Sequence, residues 1–196
     1  MTVETVSASQ LEHRPRRVIE VDGSTVDIFD LPADEETLKE LFRDLFENHW
    51  SDIVFGPIIQ GAAFEFHPPS PPTYIGTMDG YLTIAFGVSH FHLCIGAHKG
   101  AAPALAQHRQ TARAELYRRL DRSGAPVSWG LRLFNGESEQ QITVLLPNPF
   151  LDPATDRPRK TPNWAQLGLW DSLRERWLGL GEPDPIDRRG HRFHHD

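Results

Sequence analysis

Apolar residues recur along this chain with two different periods, and the changes of period outline its elements. Val18, Ile19 and Val21, then Val26, Ile28 and Phe29, flank Asp22-Gly23, a pair suited to the positive φ of a tight turn, so this region reads as a β-hairpin. From Ala33 the period becomes helical. Leu38, Leu41, Phe42, Leu45, Phe46 and His49 share one face, and Asp34, Glu35 and Glu36 stand at the positive N-terminal end. The following GAAFEF segment fits a short strand with Phe64 and Phe66 on one side and Glu65 and His67 at or near the other. The run Pro68-Pro69-Ser70-Pro71-Pro72 then leaves the sheet interior as a stiff crossover, because proline has no N–H for a ladder.

Residues 81–95, YLTIAFGVSHFHLCI, read as one long strand with a bend or bulge at Gly87. In that reading Ile84, Phe86, Val88, His90, His92 and Cys94 share a face, and the lack of charge on either side predicts a central position. Thr73–Thr77 pairs with its beginning across Met78-Asp79-Gly80. Pro103 fits the first turn of a second helix, with Leu105, Ala112, Leu116 and Leu120 turned inward and Gly124 and Pro126 closing it. Val127–Phe134 and Gln141–Leu146 form a strand pair around Asn135-Gly136, and a third helix runs from about Trp164 to Leu178 on the stripe Leu167, Trp170, Leu173 and Trp177.

Together these elements predict an α+β fold, a mostly antiparallel sheet of about 6–7 strands packed against three helices. They form a single domain over residues 1–182, followed by a histidine-rich C-terminal extension, 183–196. With 196 residues and 39% apolar composition the chain is long enough for one sizeable core. The formal charge of −7 argues against a broad nucleic-acid surface, no apolar stretch suffices to span a membrane, and the N-terminus lacks the pattern of a secretory signal. A single cysteine suits a reducing, cytoplasmic setting. Arg14, Arg16 and Arg17, and Arg109, Arg113, Arg118 and Arg119, read as a solvated tail and helix face, with an anionic substrate as the alternative.

The candidate chemistry lies in Ser89–His98, SHFHLCIGAH, where His90, His92 and Cys94 fall two residues apart. Side chains at i and i+2 of a strand emerge about 6.6 Å apart, close enough for two imidazoles to share an ion, whereas i and i+4 are about twice as far. His90 and His92 are therefore the favoured pair, with His67 and His98 as further metal ligands and Glu65 as a ligand or proton carrier. Cys94 is a ligand, a nucleophile assisted by His92, or a small buried apolar group. Zinc and iron suit these ligand types first, and copper is a further fit.

The His-Phe-His core resembles the paired zinc histidines on a strand of alpha-class carbonic anhydrases. Leu93-Cys94 differs from the aromatic residue and glycine that follow the pair there, and the match of three residues assigns no family. The leading expectation is a cytoplasmic metalloprotein, in its strongest form an enzyme activating water or oxygen for small-molecule chemistry. The alternative is a metal-free small-ligand-binding or protein-interaction domain with a polar, histidine-lined pocket. A small-molecule substrate or ligand is the expected partner, and a homo-oligomer is compatible with the sequence. His108 sits near the second helix's inward stripe, and His191, His194 and His195 read as a solvated terminus.

Overall fold

The structure, a computed structural model, describes residues 15–59 and 61–190. It is an α+β fold in which a six-stranded antiparallel sheet packs against helices. The hairpin predicted around Asp22-Gly23 is present as β1 (Arg16–Ile19) and β2 (Thr25–Leu31), with Gly23 at φ 82°. Helix α1 (Glu35–Asn48) begins at Asp34, whose carboxylate accepts the Thr37 N–H, and it buries Leu38, Leu41, Phe42, Leu45 and Phe46. Short strands β3 (Val54–Gly56), β4 (Ile58–Ile59) and β5 (Ala62–Ala63) follow, so GAAFEF contributes two residues of strand, and Phe66 makes one isolated bridge to Phe55.

Two expectations are corrected. The run from Tyr81 is not one bent strand but a hairpin, β7 (Tyr81–Phe86) and β8 (Ser89–Cys94), joined at Gly87-Val88. Gly87, at φ 65°, supplies the left-handed conformation of a two-residue loop. With β6 (Tyr74–Met78) these strands form a separate three-stranded sheet in the order β6-β7-β8, so β8 lies at an edge. The reversal also changes the faces. Leu82, Ile84, Phe86, Phe91 and Leu93 point into the core, while His90 and His92 stand opposite Ala85 and Thr83 on the outer side.

The second helix is also shorter than expected. Helix α2 (Pro103–Arg109) stops after seven residues and lies against the turn at Asn135-Gly136, where Gly136 donates to the His108 carbonyl. The chain then becomes β9 (Thr111–Leu120), a ten-residue strand between β2 and β10 (Pro126–Asn135). Ala112, Leu116 and Leu120 are four apart, and that spacing keeps a common face in either a helix or a strand. The pairing partners decide it, because β9 is bonded along its length by β2 and β10. Strand β11 (Gln140–Leu145) and the terminal helix α3 (Gly168–Leu178), entered through a 3-10 turn at Trp164–Leu167, match the predicted positions.

The sheet order β1-β2-β9-β10-β11-β3 gives two unlike faces. On the first, Phe29, Leu116, Trp129, Leu131, Val144 and Phe55 join the buried side chains of α1, α3 and the small sheet in the main core. Phe46 packs edge-on to Phe55 at 4.9 Å between ring centres and tilted on Phe91 at 5.6 Å, which fastens α1 between the two sheets. The second face carries only a small apolar cluster, Val26, Ile28 and Tyr117 with Val18 beside it. Thr143 and Phe134 are also buried there, together with a charged cluster in which Glu115 receives Arg132 Nε at 2.8 Å and contacts Arg113 and Arg16.

Arg118 belongs to the first face and is only 3% exposed, so it is no part of a solvated helix surface. It binds Asp27, Asp184 and Asp187. Asp187 comes from the 3-10 turn Pro185–Arg188, within the stretch assigned to the C-terminal extension. His191, His194 and His195 lie outside the described residues, as does Arg14.

Candidate functional site

A groove of about 980 Å³ takes much of its lining from the second face of the six-stranded sheet. Its floor comes from alternate residues of the central strands: Val26 of β2, Tyr117 and Arg119 of β9, Ser128 and Arg132 of β10, and Thr143 and Leu145 of β11. Alternation places these on the side away from α1, and neighbouring strands about 4.8 Å apart bring them together. The rest of the lining includes His49, Asp52 and Val54, then Glu65 and His67, and Gln166 and Leu169 near the start of α3.

Two arginines in the groove are already paired. Arg132 forms an ion pair with Glu20 and also binds Glu115, while Arg119 reaches Asp22 at 3.3 Å. Arg132 additionally lies 4.8 Å over the Tyr117 ring. Burial pushes the Tyr117 hydroxyl up to about 12, so it remains a neutral donor and acceptor at physiological pH. In contrast the side chains of Glu65, His67 and Asp156 have no hydrogen-bond or ion-pair partner among the described residues. The Gln166 side-chain oxygen is buried without a partner. The groove therefore offers spare acceptors and imidazoles above a floor whose cations are neutralised.

The six residues singled out from the sequence divide among four places. Glu65 and His67 line the groove. His90 and His92 stand exposed on the outer face of the small sheet, with ring centres 5.0 Å apart and His92 Nδ1 2.7 Å from Thr83 Oγ1. Cys94 shares their strand side but is buried, its Sγ 3.6 Å from the Gly96 carbonyl. Burial raises the thiol's pKa, which keeps it protonated and shielded. His98 occupies the next loop, with Nδ1 3.2 Å from the Asp79 carboxylate and its ring edge-on to Tyr81. Asp79 in turn accepts the Lys99 and Gly100 N–H groups, so His98 is held in a loop brace.

No group of three or more His, Cys, Asp or Glu side chains among the described residues is arranged to hold a metal ion. Neither Glu65, His67 nor His98 converges on the His90–His92 pair. The groove residues missed in the sequence, above all Tyr117 and Arg132, carried one usable signal. Thr111–Leu120 alternates charged or aromatic residues with Ala114, Leu116 and Leu120, a period-two pattern hidden by the four-residue spacing.

Residues 15–179 match a protein family described as a family of unknown function, DUF7676. The chain belongs to this family. No curated protein sequence matches it. Among solved structures it is similar to the crystal structure of ChuX, with a TM-score of 0.46 and 14% sequence identity over 74% of each chain.

No helix among the described residues is long and apolar enough to cross a membrane.

Proposed function

We propose that the protein is a small-ligand-binding domain and that its ligand occupies the groove on the second face of the six-stranded sheet. The observation that carries this reading is the groove itself. Its volume of about 980 Å³ is at the upper end of ordinary small-molecule sites, and its lining mixes apolar floor residues with a few polar groups. Val26, Val54, Ile58 and Leu145 favour an apolar body. The unpartnered Glu65 and Asp156 carboxylates, with His67, favour a ligand that brings hydrogen-bond donors or a positive charge. An amine or amide on an aromatic or aliphatic frame meets both requirements. The metal-dependent enzyme reading has less support, because the expected third ligand does not join the histidine pair. The buried, protonated Cys94 suits a reducing, cytoplasmic setting.

The test combines native mass spectrometry of the intact protein with a thermal-shift panel of small amines, amides and carboxylates. A ligand present at a hundredfold over its Kd stabilises by about 2.7 kcal/mol. For a chain of this size that amounts to a rise of about 5–10 °C in Tm. Ser128→Trp fills the groove from β10 and abolishes the shift, while Glu65→Gln weakens binding of the cationic members. Unchanged binding in both variants places the ligand elsewhere and overturns the proposal.

A further inference from the structure

A second site is built on the small three-stranded sheet, from residues the groove does not use. His90 and His92 both face solvent on edge strand β8. Their neighbours across β7 are Ala85 and Thr83, so no bulky side chain stands between the imidazoles and an incoming ion. A tetrahedral ion bound at about 2.1 Å by one nitrogen of each ring lies about 3.2 Å from each ring centre, which puts the centres about 5 Å apart. The observed separation is 5.0 Å.

The Thr83 contact adds orientation. With His92 Nδ1 held 2.7 Å from Thr83 Oγ1, the ring is fixed and its Nε2 is the atom left to bind. Ligating histidines are commonly held through their other nitrogen in this way. The His90 side chain has no partner among the described residues other than the His92 ring. Nothing at the pair has to be broken for it to accept an ion.

We propose that His90 and His92 together bind one divalent cation of the late first transition row, copper(II) or zinc(II), with solvent filling the remaining positions. Two imidazoles without a carboxylate select against magnesium and calcium, and copper(II) binds more tightly than zinc(II). The site is independent of the groove.

The experiment is isothermal titration calorimetry of the full, tag-free chain, stripped with chelator and titrated separately with copper(II) and zinc(II) chloride. The variants are His90→Ala, His92→Ala, Thr83→Val and the triple variant His191→Ala/His194→Ala/His195→Ala, which removes the terminal histidines as a competing source of ligands. One ion per chain is expected. Each β8 histidine variant weakens it at least tenfold, Thr83→Val weakens it about tenfold, and the terminal triple variant retains it. Both β8 histidines are exposed, so thermal melts of their variants coincide with wild type and the loss reads on binding alone. Absence of binding by the wild-type chain, unchanged affinity in both β8 histidine variants, or loss of the ion in the terminal triple variant overturns the proposal.

Discussion

Asp187 accepts the indole N–H of Trp129 at 2.8 Å, although the two residues lie on a terminal 3-10 turn and a central strand. Its other oxygen accepts the Trp170 indole N–H, also at 2.8 Å, and Arg118 Nη1 lies 3.1 Å away. One fully buried carboxylate thus ties β9, β10 and α3 to the end of the described chain. Both tryptophans contribute core surface, and their single polar atoms are satisfied by the same partner.

Asp187→Ala leaves two indole N–H groups and the Arg118 guanidinium short of an acceptor in the core. Removing one partner of a buried charge pair costs about 3–5 kcal/mol. Urea unfolding is expected to show a loss of that size, with tryptophan fluorescence reporting the transition. Asp187→Asn keeps an acceptor but loses the charge, so its loss is smaller. Equal midpoints for wild type and Asp187→Ala contradict the role given to this carboxylate.

The same cluster sets the response to acid. Burial alone raises the Asp27 and Asp184 carboxyls, but hydrogen bonds and charge from Arg17 and Arg118 at Asp27, and from Arg118 at Asp184, outweigh it and hold both below the ordinary carboxylate range. A folded-state pKa below the unfolded one gives stability that is fully present above the unfolded value, near 3.9, and is lost as pH falls through the folded value. Stability measured between pH 7 and pH 2 is expected to fall in the acid limb. Asp184→Asn flattens part of that limb while lowering stability at pH 7, and an unaltered acid slope in this variant removes Asp184 from the account.

Legibility in the sequence followed how far each pattern depended on partners distant in the chain. The β1–β2 hairpin and α1 were readable because Asp22-Gly23 and the Leu38 to Phe46 stripe specify their conformations locally. Gly87 in an apolar run is compatible with a bulge or a reversal, and the reversal puts His90 and His92 on an exposed face instead of a covered one. Their proximity was foreseeable from i and i+2 spacing alone. The groove was not, because its floor draws single residues from β2, β9, β10 and β11, and the four-residue spacing in β9 fits a helix equally well. A run containing Arg118 and Arg119 looks solvated until Asp27 and Asp187 are known to stand opposite it.

Tyr117 and Gly130 face one another across β9 and β10, and a Cβ at Gly130 would lie 2.7 Å from the tyrosine ring. The ring is part of the groove floor and cannot give way without disturbing Arg132, which lies over it. Gly130→Ala is therefore expected to cost about 1–3 kcal/mol, as overpacking does, and to push Tyr117 toward solvent. Alkaline titration followed by tyrosinate absorbance separates this from a general loss of stability. In the wild-type chain burial pushes Tyr117 up to about 12. Because that value exceeds the unfolded one, near 10, the stabilisation is present below pH 10 and disappears as pH rises toward 12. In Gly130→Ala the Tyr117 transition moves down toward 10 while the fold persists at neutral pH. Titration of Tyr117 at its wild-type position in that variant would show that the ring accommodates a methyl group without leaving the floor.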